Sequence, residues 1–191
     1  MTLPALSIVI SGHYPFLPVP AKDDPVSQEE RLFFESLSES YLPLLEAFER
    51  MEARGVPFRL GMALSYSFCS LLKSERVMER YHAWLESRIA FGRREQKRTT
   101  GEQRALAAFY LDRDIERRDA LIMHYGMDLA AAFEKFQNRG RIELLGGPAT
   151  PAFLPFFASI PEAIQAQIET GLVCHRKLFN KTPGGFWLPD L

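Results

Sequence analysis

Apolar side chains recur along this chain at two spacings, and each change of spacing marks a new element. Leu6-Ser7-Ile8-Val9-Ile10 is a brief β-branched run closed by Gly12, the pattern of a buried strand. From Glu29 to Arg54 the positions Leu32, Phe33, Leu37, Tyr41, Leu44, Leu45, Phe48 and Met51 fall three and four apart. That period predicts a helix ended by Gly55, with a kink or break at Pro43. Phe58 to Leu64 reads as a second strand. Helical periodicity then dominates from Ser67 to Tyr125, with an interruption around Thr99-Thr100-Gly101. Asp128 to Arg139 predicts one more helix, with Gly140 as its stop, and Arg141 to Leu145 a third strand running into Gly146-Gly147-Pro148. Pro161 opens a helix at its first turn, with Ala163, Ile164, Ile168, Leu172 and Leu178 on one face. Gly184-Gly185 leads into a fourth strand, Phe186-Trp187-Leu188-Pro189, which runs into Asp190.

Strands alternating with helices predict βαβ units and a parallel sheet, here with a long helical insertion over residues 67–139. Ligands of such sheets bind just past the carboxyl ends of the strands. The side chains expected there are Ser11, His13 and Tyr14; Ser65, Tyr66 and Ser67; Thr150 and Phe153; and Asp190. A histidine between Gly12 and Tyr14 can donate to a sugar hydroxyl, exchange a proton, bind a metal, or simply occupy a turn. His82, His124 and His175 lie in helical stretches and read as surface or packing residues.

Composition narrows the function classes. A chain of 191 residues that is 47% hydrophobic and 25% charged can bury a full core in one domain. A net charge of -1 with both signs interspersed gives no basic field for nucleic acid, and Arg93-Arg94 and Lys97-Arg98 read as a solvated helix end. Cys69 and Cys174 have no CxxC partner, which fits buried thiols in a reducing cytoplasm. No apolar run approaches the roughly 18 residues of a membrane span, so neither a membrane nor an export route is expected. His-x-x-His and His-Glu-x-x-His groupings, a P-loop and a Gly-x-Ser-x-Gly elbow are missing from the sequence. No metal and no cofactor are therefore expected.

Three stretches carry a family resemblance: Ile8-Val9-Ile10-Ser11-Gly12-His13-Tyr14-Pro15-Phe16; Glu143-Leu144-Leu145 through Ala149-Thr150-Pro151 to Phe153-Leu154-Pro155; and Gly185-Phe186-Trp187-Leu188-Pro189-Asp190. In order and spacing they resemble the first three signature regions of family 57 glycoside hydrolases, most closely the branch with 1,4-α-glucan branching enzymes. Glu30-Arg31 through Tyr41-Leu42-Pro43-Leu44 and Gly55-Val56-Pro57-Phe58-Arg59-Leu60 look alike as well, so the resemblance covers nearly the whole chain. It implies a distorted seven-stranded (β/α) barrel, of which this chain would be the first half. It also implies a retaining enzyme acting on α-glucan or a maltooligosaccharide. Asp190 occupies the place of the nucleophile, His13 that of the second histidine of the first motif, and Trp187 that of the adjacent sugar-facing aromatic. Tyr14, Thr150 and Phe153 join His13 and Trp187 as expected substrate contacts. The family's acid/base has no counterpart among the 191 residues.

Three positions depart from the family pattern. Ser11 stands where the first motif opens with histidine, Pro151 where the second carries histidine, and Asp190 where the nucleophile is Glu. Asp is one methylene shorter, and attack geometry holds reacting atoms about 3–3.5 Å apart. The resemblance therefore supports two functions: the amino-terminal part of an α-glucan-active enzyme, or a non-catalytic relative that keeps the cleft for binding. A carbohydrate deacetylase on a related barrel is disfavoured by the missing metal ligands. Both favoured readings expect His13 and Asp190 in one pocket, with Thr150 and Trp187 nearby. They also expect the uncovered barrel edge to be met by self-association or further chain.

Overall fold

The computed structural model describes residues 6–18, 20–21 and 24–189. Its strands are β1 (Val9–Gly12), β2 (Leu60–Leu64) and β3 (Ile142–Leu144). Its α-helices are α1 (Gln28–Ser36), α2 (Leu42–Ala53), α3 (Tyr66–Leu72), α4 (Glu75–Arg98), α5 (Gly101–Asp119), α6 (Leu129–Asn138) and α7 (Pro161–Phe179). Contacts group the chain into two compact units. One takes residues up to Phe16, Pro57–Leu71 and everything from Phe133 onward; the other takes Leu17–Val56 and Leu72–Ala132.

The first unit is a parallel sheet in the order β1-β2-β3. Val9 pairs with Gly61 and Gly12 with Leu64, while Leu60 pairs with Ile142 and Met62 with Leu144. β1 lies further along than the apolar run alone predicts, so Ser11 and Gly12 belong to the strand and His13 follows it directly. Met62, Phe68, Phe133, Phe136, Ile142 and Leu144 are buried and form its core. Cys69 is buried here as well, and burial pushes its thiol up to about 12, the state of a packing residue.

The predicted fourth strand is reduced to one parallel bridge, Gly146 to Phe186. The Gly146 N–H donates to the Gly185 carbonyl at 2.9 Å, and the Trp187 N–H donates to the Gly146 carbonyl at 2.8 Å. The next donor in such a ladder would be residue 148, which is Pro148 and has no N–H. The ladder stops for want of a donor.

The second unit is helical. The helix expected from Glu29 to Arg54 runs without a break in sequence but changes winding, with a π-helical turn at Leu37–Tyr41 between α1 and α2. Pro43 cannot donate to the preceding turn, so wider winding there leaves the Ser38 carbonyl open. The buried Arg117 Nε donates to that carbonyl at 2.9 Å, and its guanidinium also pairs with Glu46. The Ser38 hydroxyl bonds the Tyr81 hydroxyl at 2.7 Å. The long helical stretch breaks twice: at Thr99-Thr100 as predicted, and also at Ser74, whose hydroxyl caps α4 by accepting from the Val77 N–H.

Glu30 ties three segments of this unit together. With Ser27 it forms a capping box at the start of α1, its carboxylate accepting from the Ser27 N–H while Ser27 Oγ accepts from the Glu30 N–H. Arg80 of α4 donates to it twice, at 2.6 and 2.8 Å, and also to the carbonyl oxygens of Ala21 and Asp24. Burial opposes the charge on Glu30, but the Arg80 hydrogen bonds, the Ser27 N–H and the Arg80 charge outweigh it and hold the carboxyl below its ordinary range. Glu30→Gln strands a buried guanidinium and should cost about 3 kcal/mol. A carboxyl depressed in the fold contributes stability above its unfolded pKa and loses it as pH falls through the folded value. Urea unfolding should therefore show wild type and Glu30→Gln far apart at neutral pH and converging in acid; a gap constant with pH would contradict the ion pair.

Candidate functional site

The carboxyl edge of the sheet is built around one peptide. Past β3, the Gly147 N–H donates to the Tyr66 hydroxyl at 3.1 Å. Its carbonyl lies against α7 so closely that a Cβ on Gly171 would sit 2.1 Å from that oxygen. Only glycine permits that approach, since no real Cβ contact is so short. Gln167 fastens the next residues: its carbonyl accepts from the Ala149 N–H at 2.9 Å, and its side-chain oxygen accepts from the Thr150 N–H and hydroxyl at 3.0 and 3.2 Å. Gly146 is equally constrained, because a Cβ there would lie 2.7 Å from Pro183 Cγ.

His175 stands one turn beyond Gly171 on α7 and is fully buried. Its ring meets Tyr66 edge-on at 6.3 Å and Phe179 at 5.0 Å. Neither ring nitrogen has a hydrogen-bond partner among the described residues, and burial lowers its pKa. The imidazole is a neutral packing group behind the Tyr66 ring. Burial also raises the pKa of Tyr66, so its phenol stays protonated.

In front of these residues lies a cavity of about 60 Å³ at the strand ends. Ser11, Gly12 and His13 line it after β1, Ser65 and Tyr66 after β2, and Gly146 to Pro148 with Thr150 and Pro151 after β3. Trp187 and Pro189 close the rim. Small-molecule sites usually hold roughly 300–1,000 Å³, so the space that the described residues enclose is smaller than a typical site. A larger groove of about 460 Å³ lies in the helical unit, lined by Phe91, Leu106 and Tyr110 among others. It lies away from the strand ends, and its charged groups pair with one another, Arg88 with Asp114 and Arg98 with Glu95, so the smaller cavity is the candidate.

His13, Thr150 and Trp187 line one cavity. Asp190 lies outside the described residues, although Pro189 just before it is on the rim. Tyr14 and Phe153 do not line the cavity. The Tyr14 carbonyl accepts from the Ser67 hydroxyl at 2.6 Å, and Phe153 packs edge-on against Phe156 at 4.8 Å, at the start of a 3-10 turn (Leu154–Phe157). Ser11 and Pro151, two of the three departures from the family pattern, are both in the wall. Sequence reasoning passed over Gly171. Its signal was a glycine in mid-helix, which costs about 0.5–1 kcal/mol against alanine and so calls for a close approach.

A parallel sheet flanked by helices, with a cleft at its carboxyl edge, places the chain among the parallel α/β folds, in which ligands bind at that edge. This chain belongs to glycosyl hydrolase family 57, whose family model matches residues 7–191. It is 27% identical over 187 residues to a 1,4-alpha-glucan branching enzyme of Thermococcus kodakarensis, covering 97% of this chain and 26% of that protein. Among solved structures it is similar to the alpha-amylase AmyC of Thermotoga maritima, with a TM-score of 0.84, 31% identity, and coverage of 95% of this chain and 34% of that one. The GH57-type branching enzyme of Pyrococcus horikoshii also matches at 0.84, with 26% identity, 96% of this chain and 34% of that one. The Thermococcus kodakarensis enzyme, solved in complex with glucose and additives, gives 0.84, 27%, 96% and 32%. The chain thus spans about a quarter to a third of the length of these relatives.

The packing carries two predictions. Gly171→Ala should destabilise the chain by about 1–3 kcal/mol in thermal unfolding, because the helix or the Gly147 loop must shift; an unchanged Tm would contradict the contact. The second concerns His175, whose lowered pKa means that the fold favours the neutral ring. Its contribution is complete above the unfolded value near ~6.5 and is lost as pH falls from there toward the folded value. His175→Phe should therefore flatten the dependence of stability on pH between neutral and mildly acid solution, and an unaltered slope would show that the ring is not the titrating group.

Proposed function

We propose that this chain is the α-glucan-handling, amino-terminal part of a retaining glycoside hydrolase or glucanotransferase of the branching-enzyme type, with the sheet forming part of the first half of a distorted seven-stranded (β/α) barrel. The observation that carries this reading is the cavity at the carboxyl edge, where His13, Thr150 and Trp187 converge and the chain runs through Pro189 toward Asp190. Trp187 offers a ring for the apolar face of a sugar, and His13 a donor or acceptor for its hydroxyls. Asp190 is the proposed nucleophile. A retaining mechanism takes two carboxyl groups about 5–5.5 Å apart, one to attack the anomeric carbon and one to protonate the leaving oxygen. Self-association at the strand edge around Phe186 belongs to the same proposal.

A second reading, a glucan-binding relative without turnover, is favoured by one specific observation. Ser11 and Pro151, in the places where the family resemblance implies imidazoles, both face the cavity. Neither can shuttle a proton at neutral pH, so the cleft keeps surfaces for binding while losing groups for chemistry.

The 191-residue chain should bind maltooligosaccharides weakly, lose about tenfold in affinity in Trp187→Ala, and release no reducing ends or new branch points from amylose. Titration calorimetry and a reducing-end assay would check it. Absence of binding would overturn the glucan reading, whereas turnover abolished by Asp190→Ala would show that a second acid lies within this chain.

A further inference from the structure

The hydroxyl groups that line the cavity are not equally available. The Ser67 hydroxyl donates to the Tyr14 carbonyl, so in the 3.2 Å contact between Ser65 Oγ and Ser67 Oγ the proton comes from Ser65. The Thr150 proton goes to the Gln167 side-chain oxygen. Tyr66 differs. Its oxygen is an acceptor, taking the Gly147 N–H, and its own proton has no acceptor among the described residues. A phenol has one donor and can still donate when it accepts.

This oxygen is also the most firmly held of the cavity's hydroxyls. Tyr66 is only 6% exposed, its ring backs onto the buried His175, and its bonding partner Gly147 is pinned against Gly171 of α7. A donor fixed by its surroundings before the ligand arrives loses little entropy on binding. Tyr66 therefore combines the two properties of a recognition group, an unspent proton and a pre-set position. It also stands in a wall where Pro151, in the place of an imidazole that the family pattern implies, supplies no donor.

We propose that Tyr66 is a further sugar-contacting residue, its phenolic O–H donating to one hydroxyl of the glucosyl unit bound at the carboxyl edge of the sheet. The assignment rests on the glucan reading above and adds a specificity determinant to it. The hydrogen bond makes the cleft discriminate against a sugar lacking that hydroxyl, because the buried O–H is then left unpaired.

Tyr66→Phe keeps the ring against His175 and removes only the hydroxyl. Calorimetric titration of the 191-residue chain with maltotriose and its set of monodeoxy analogues separates contact from support. The expected result is a roughly tenfold loss of maltotriose affinity in the variant. One monodeoxy analogue should bind wild type about tenfold more weakly than maltotriose does, yet bind the variant no more weakly than maltotriose binds it. Equal maltotriose affinity in both proteins overturns the assignment. So do losses that multiply for every analogue, since they would mean that Tyr66 acts only by supporting the Gly147 loop. A wild-type chain that binds no maltooligosaccharide overturns the glucan reading and this assignment with it.

Discussion

The carboxyl edge of the sheet depends on how one peptide is held. Gly147 sends its N–H to Tyr66 and lays its carbonyl against Gly171, so α3 and α7 are both referenced to the same few atoms. That contact sets where Gly146 can pair with the segment around Phe186, and therefore where Trp187 stands on the rim. A helix bearing any side chain at position 171 could not come as close, and the loop that lines the cavity would have no rigid backing.

The helical unit solves its backbone problems in the same way. Where regular winding leaves a carbonyl or an N–H without a partner, a buried side chain from another segment takes it. Arg117 reaches the Ser38 carbonyl freed near Pro43, and Arg80 joins the start of α1 to the Ala21 and Asp24 carbonyls. Buried charge of this kind is tolerated because each donor is met; the same guanidinium without its carboxylate would be a large cost. These arginines are structural despite being charged and buried, the combination that elsewhere marks a site.

Seen from its chemistry, the cavity is richer in recognition than in proton transfer. Among the described residues His13 is the one imidazole in its wall, while His175, fully buried and neutral, serves as a packing ring one layer back. Ser11 and Pro151 take the space of two further imidazoles implied by the family pattern. Such a wall carries, among the described residues, more groups for hydrogen bonding and stacking than for proton exchange near neutral pH.

Spacing alone determined most of the elements. The short apolar runs gave β1 to β3 to within a few residues, the three-and-four periodicity gave α1, α2 and α4 to α7, and Pro161 marked the first turn of α7. The ordered motifs likewise located His13, Thr150 and Trp187 at strand ends, since a parallel sheet brings those ends to one edge. The rest was decided by donors and distances that no local window contains. The fourth strand shrank to a bridge because Pro148, on the facing segment, has no N–H to give. Tyr14 and Phe153 are absent from the cavity lining, the Tyr14 carbonyl being bonded by Ser67 and the Phe153 ring packed on Phe156. Gly171 and Tyr66 acquired their importance only when α7 and α3 met the Gly147 peptide. Periodicity reports which face of an element is buried, while hydrogen-bond partnership and steric approach between distant segments exist only once the chain is folded.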